Sequence, residues 1–201
     1  MTENRFSRIG PRAGVVRVAT LNVWGRRGTW ADRRAVLIEG FRELQPDVVA
    51  FQEAIKTEEY DQVLDLLGPD VHVAHQTGRE PDRQGDPEEG QGISLASRWP
   101  LGDVREVDLH VTPRIADFAC ATLVAEILAP DPVGPLLFVN HLPNWQLAFE
   151  HERELQSVVA ARVIEDLAGQ HQRHVVLVGD FDADPAAASV HFWSGRQSLG
   201  A

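Results

Sequence analysis

The chain has 201 residues, of which 43 % are hydrophobic and 24 % charged. About 150 residues make a domain, so the length predicts one domain. The apolar–charged balance excludes a disordered chain. Nineteen basic against 30 acidic side chains leave a formal net charge of -11, which disfavours a broad basic face for gripping duplex nucleic acid. A local arginine cluster or a metal ion would still admit a phosphate. Cys120 is the single cysteine, which excludes an intramolecular disulfide and a cysteine zinc cluster. Residues 1–14 are polar and lack an apolar signal region. No apolar run reaches the roughly 18 residues that a membrane span needs. The expectation is a cytoplasmic protein with no membrane span and no obligate protein partner.

Residues 1–14 read as a flexible arm, and residues 15–201 as the domain. Residues 15–21 are mostly β-branched and apolar, and predict a strand. A loop with Gly and Arg follows over 22–28. Leu37, Ile38, Phe41 and Leu44 form the apolar stripe of a helix over 31–44, stopped by Pro46-Asp47. Residues 48–51 predict a short buried strand. Thr57 offers a cap for a helix over 58–67, with Tyr60, Val63, Leu64 and Leu67 on one face. Strands are then expected at 71–75, 92–96, 104–107, 118–127 and 136–140, with turn signals between them. Residues 78–90 are polar and predict a long exposed loop. Its acidic members Asp86, Glu88 and Glu89 read as a solvated face. The longest helix is expected over 146–168, a buried strand over 175–178, and a helix start over 186–193. This order predicts a mixed α/β or α+β layered domain. Two sheets packed face to face with helices outside would fit it.

Polar residues at strand ends are candidates for chemistry, because α/β scaffolds present sites there. Asn22 either donates to a phosphate or hydrated metal, or closes an Asx turn. Glu53, after the apolar run 48–52, offers a hard oxygen suited to Mg²⁺, or starts a helix. His141 either stabilises a phosphoryl oxygen or transfers a proton, or is a structural histidine. Asp180 and Asp182 are separated by one residue, so on an extended chain both carboxylates face one way and suit a cation. His72, His75, His171 and His174 read as structural. Trp24 and Trp145 stand out among the five tryptophans, since each lies within four residues of a candidate site residue. Arg26, Arg27, Arg33 and Arg34 either face substrate or solvate a helix start.

Five segments, in order, resemble the endonuclease/exonuclease/phosphatase superfamily, with its deoxyribonuclease-like fold. They are residues 20–25 (TLNVWG), 46–53 (PDVVAFQE), 92–100 (GISLASRWP), 138–142 (FVNHL) and 178–182 (VGDFD). The resemblance implies a four-layer α/β/β/α sandwich of two mixed sheets with helices outside. It implies hydrolysis of a phosphate ester with Mg²⁺ (or Mn²⁺). The substrate would be nucleic acid, a phospholipid headgroup or a small phosphodiester. By the same resemblance, Glu53 is the principal metal ligand with Asn22 beside it, and Asp180 orients or activates water. Asp182 stands where the family has asparagine. His141 contacts the scissile phosphate, Arg114 holds another phosphate oxygen, and Glu89 supports His141. Trp145 is the candidate for substrate contact beside His141. A further Ser-Asp-His motif is expected nearer the C-terminus, and residues 183–201 contain none. The second half is therefore expected to be incomplete, and the chain to be weakly active or a binding-only relative.

Overall fold

A computed structural model describes residues 14–80, 89–115, 118–171 and 173–200. The expected arm lies outside them apart from Gly14, as do Asp86 and Glu88. The described strands form two four-stranded mixed sheets. In the first, β1 (Val18–Asn22) and β2 (Val48–Ile55) run parallel and are joined by the helix α1 (Trp30–Leu44). The strands β3 (His72–His75) and β4 (Gln91–Ser97) complete it antiparallel, in the order β1-β2-β4-β3. A short helix, α2 (Gln62–Leu67), follows β2. In the second sheet β5 (Leu101–Asp108), β6 (Ala121–Ile127) and β7 (Leu136–Leu142) are antiparallel. The strand β8 (Val175–Gly179) lies parallel to β7, and the helix α3 (Glu150–His171) joins the two. The last helix is α4 (Ala188–Trp193).

Period-2 alternation explains the layers. Val48 and Ala50 of β2, Ile93 and Leu95 of β4, and Leu136 and Phe138 of β7 meet between the sheets. The alternate residues Val49, Phe51 and Ala96 face the α1–α2 layer. Val124, Leu137 and Val139 face the α3 layer with Ala160 and Ile164. The result is the α/β/β/α arrangement expected from the sequence.

Local chemistry moves several boundaries. The helix α2 starts at Gln62 rather than residue 58, because the Asp61 carboxylate accepts the Val63 and Leu64 N–H groups at 3.0 and 3.1 Å. Thr57 only closes a turn, through Tyr60 N–H. The helix α3 starts at Glu150, since residues 144–147 form a loop held by a side chain. The strand β2 continues past residue 51 by pairing Ala54 and Ile55 with Gly92 and Gln91 across a bulge. The loop over 78–90 is tethered at its start. There the mostly buried Arg79 donates to the carbonyls of Ala54, Gly90 and Ile93 and to Ser94 Oγ. Burial lowers its guanidinium pKa to about 10.

Candidate active site

Each sheet contributes one parallel strand–helix–strand unit, and the two units point the same way. The C-terminal ends of β1, β2, β7 and β8 therefore meet at one end of the sandwich. Alternation aims Asn22 inward with Thr20 and the interface residue Val16. It also aims Asp180 inward with Val176 and Val178. Asn22 Nδ2 donates to Glu53 Oε1 and to Asp180 Oδ2, each at 2.8 Å. Its Oδ1 accepts the Trp24 N–H at 2.9 Å. The amide thus joins two carboxylates from different sheets and also closes the Asx turn read from the sequence.

Glu53 reaches this cluster only because of the β2 bulge. Strict alternation would send it to the helix side with Val49 and Phe51. Between Phe51 and Ala54 the register shifts, and Glu53 takes a φ of 55°. Such bulges re-aim side chains near sites. It lies inside the strand, not after it. Asp182 is also in the left-handed region, at a φ of 47°. The segment is therefore a turn rather than extended chain, and the Asp182 N–H donates to Asp180 Oδ1 at 3.3 Å. Burial and the neighbouring charges of Asp180 and Glu53 raise the Asp182 carboxyl to about 7, against a weaker opposing pull from Arg153.

A polar bridge pins the sheets together just below. Gln52 Nε2 donates to Asn140 Oδ1 at 2.6 Å and to Thr20 Oγ1 at 3.1 Å. Asn140 Nδ2 donates to the carbonyls of Phe51 and Ser94. These residues are absent from the candidates drawn from sequence. Their signal was legible: a lone polar residue at an inward position of an otherwise apolar strand.

His141 lies elsewhere. Its position on β7 matches Leu137 and Val139, so it faces the helices α3 and α4. The ring is fully buried against Phe181 and Trp193, with centroids 5.6 and 5.4 Å away. Nδ1 bonds Thr122 Oγ1 at 2.6 Å, and Nε2 has no partner. Burial lowers its pKa to about 3, so the ring is neutral. Its contacts are Thr122, Phe181 and Trp193, whereas Glu89 sits in the turn before β4. Arg114 sits in a 3-10 turn (Pro113–Ile115), donates to Glu152 at 2.8 Å and stacks over Phe149 at 4.1 Å. It borders the start of α3 rather than the carboxylate cluster. Trp145 is 54 % exposed in the loop after β7. His75, read as structural, bridges Asp61 and Ser94 at 2.9 Å each.

A cavity of about 380 Å³ lies between α1 and α2, lined by Arg34, Asp47, Asp65 and Arg98 among others. Asp47 and Ser97 place it at the opposite end of the first sheet from the cluster. No helix among the described residues is long and apolar enough to cross a membrane.

The structure resembles solved proteins of low sequence identity. The human Nocturnin catalytic domain with bound sulfate is 17 % identical, with a TM-score of 0.74 over 89 % of this chain and 68 % of that one. A mannosyl-6-phosphatase of Bacteroides thetaiotaomicron is 16 % identical, with a TM-score of 0.73 over 90 % of this chain and 71 % of that one. TDP2 of D. rerio, complexed with a single-strand DNA product, is 17 % identical, with a TM-score of 0.64 over 87 % and 64 % respectively. These likenesses establish the fold. A search of curated protein sequences finds no match. The model of the Endonuclease/Exonuclease/phosphatase family matches residues 19–200, nearly all of the described fold. The chain belongs to that family.

Proposed function

We propose that the chain is a divalent-metal-dependent phosphoesterase, with Mg²⁺ or Mn²⁺ held at the Asn22–Glu53–Asp180 cluster. The observation that carries this reading is the Asn22 amide bridging carboxylates from both sheets, with Asp182 crowded beside them. Three carboxylates stand there against one amide and the charge of Arg153. Hard oxygens with surplus negative charge are the donor set that a small hard cation takes. Among the described residues no three His, Cys, Asp or Glu side chains form a metal cage. Mg²⁺ needs none, since it commonly binds one or two carboxylates and keeps waters and phosphate oxygens. When bound, the ion neutralises the phosphate and stabilises the leaving oxygen.

The chain's own groups supply the remainder. Glu53 and Asp180 hold the cation, and Asn22 sets the distance between them. Asp180 has lone pairs left to orient a water for attack. Asp182 takes or gives a proton near neutrality, as a general acid or base does best. His141 acts as a positioning residue, by packing under Phe181 and so fixing the turn that carries Asp180 and Asp182. Relatives whose names record phosphatase action or bound DNA support a phosphate ester as substrate.

Hydrolysis of bis(p-nitrophenyl) phosphate with and without Mg²⁺ tests the reading. Turnover is expected with the metal, and Glu53→Ala should lower it by at least about 100-fold, the upper end of an outer-shell loss. Metal-independent turnover, or an active Glu53→Ala protein, would overturn it.

A further inference from the structure

The two described sheets end in four edge strands, which meet in two pairs. On one side of the sandwich β3 lies beside β5. The first is only four residues long, and the second carries Asp103, Arg105, Glu106 and Asp108 and a bulge. Short, charged and bulged edges resist pairing with another chain. On the other side β1 lies beside β8. These strands, VATLN and VVLVG, hold no charged residue. Val18 is 39 % and Val175 38 % exposed. Every residue of β8 is at least partly open, whereas β7 is buried throughout.

The backbone of β8 shows which groups are open. The His174 carbonyl accepts the Leu137 N–H, and the Asp180 N–H donates to the His141 carbonyl. Even-numbered residues therefore turn their backbone groups to β7, and Val175, Leu177 and Gly179 turn theirs outward. No other described strand pairs with that outer side.

We propose that a second copy of the chain lays its own β8 antiparallel against this edge, and so brings its His174 against Asp180 of the carboxylate cluster. A two-fold interface needs a patch complementary to itself. The register centred on Leu177 is the one that pairs all five residues of both β8 strands. It sets Leu177 against its own copy, Val175 against Gly179, and the exposed His174 against Asp180. The outward residues exchange N–H···O bonds, so His174 and Asp180 form a non-hydrogen-bonded pair. Cα atoms there stand about 4.5 Å apart and side chains come closest. His174 also shares the inward face of Val176, Val178 and Asp180. An imidazole at one end of an apolar strand and a carboxylate at the other thus meet at both ends of the interface. The pairing stands on strand geometry and this complementarity; only the use of the partner's His174 in hydrolysis rests on the phosphoesterase reading.

Light scattering of the full chain over a concentration series tests it, and should give twice the mass of one chain. Leu177→Pro removes an outward N–H that bonds nothing within the chain, and an edge strand tolerates proline. It should lose the dimer and keep its circular dichroism. Leu177→Ala trims the same side chain but keeps the N–H, and should stay dimeric. Cysteines report the register, since the native Cys120 is buried. His174→Cys and Asp180→Cys chains, mixed and oxidised, should form a disulfide-linked dimer, and neither should do so by itself. A monomer at every concentration, a folded Leu177→Pro dimer, or no link between the mixed cysteine chains would overturn the inference. Mixed His174→Ala and Asp180→Ala chains should hydrolyse bis(p-nitrophenyl) phosphate faster than the two measured apart, because only the mixed dimer holds one whole site. An active dimer without that gain would overturn the shared site. A cross-linked dimer with no ester hydrolysis by the wild type keeps the pairing and removes the phosphoesterase. Hydrolysis by a wild-type monomer does the reverse.

Discussion

Asp182 concentrates the electrostatics of the site. Its carboxyl is raised to about 7 by burial and by Asp180 and Glu53, whereas an unfolded chain ionises it near its usual value of about 3.9. Between those values the unfolded state has released its proton and the folded state keeps it. Stability therefore falls as pH rises from about 4 to 7, and the full penalty persists above 7. The group is partly solvated, which discounts the effect to about 1–2 kcal/mol. In metal-free protein, Asp182→Asn should be more stable than wild type by that amount at pH 8, with the gap closing toward pH 4. Urea titrations in the presence of a chelator measure it, and a gap independent of pH would contradict the crowding. His141 runs the other way. Burial depresses its pKa to about 3, so its contribution is present above its unfolded value near 6.5 and is lost as pH falls toward 3.

Backbone geometry at strand ends decides which side chains meet at the scale of elements. Gly179 pairs with His141 across the parallel β7–β8 edge. A Cβ there would lie 2.0 Å from the His141 carbonyl oxygen and 2.8 Å from its nitrogen. Gly179→Ala should cost about 3 kcal/mol and loosen the Asp180 turn, so that activity falls more than stability predicts. The Gln52–Asn140 bridge is a second such device. Asn140→Leu would remove the side-chain donor to the buried Phe51 and Ser94 carbonyls and one of the two acceptors of Gln52 Nε2. An unmet buried group costs about 1–3 kcal/mol, and a loss of about 3 kcal/mol by urea unfolding is expected. An Asn140→Leu protein as stable as wild type would show that the bridge is dispensable.

Charge is the property that matters for the whole molecule. The chain carries -11 overall, and three of its carboxylates converge at one end of the sandwich. A cation that binds only the folded state stabilises it by mass action, about 2.7 kcal/mol at a hundredfold excess over its dissociation constant. Mg²⁺ should therefore raise the melting temperature, and Glu53→Ala should abolish the rise. Potassium chloride at the same ionic strength is the control, because an equal rise there would reveal general screening instead of a site.

Much of this was legible in the chain alone. Apolar periodicity and turn residues located every described strand to within a few residues. The strand–helix–strand spacing put Asn22 and Asp180 at strand ends, and local motifs pointed to a phosphoesterase fold; Glu53, expected just after its strand, lies within β2. What remained depended on contacts between distant residues. Asn22 and Asp180 are 158 positions apart and meet through one hydrogen bond, which no local pattern encodes. A one-residue bulge, set by how β4 pairs with β2, turns Glu53 to the cluster. Strict alternation, undisturbed on β7, turns His141 away from it and under Phe181 and Trp193. Arg114 went to Glu152 because the start of α3 packs beside its turn. Sequence determined which elements form and which polar groups sit at their ends, since both are local. Side-chain direction at those ends was decided by sheet pairing and packing, which exist only once the whole fold has closed.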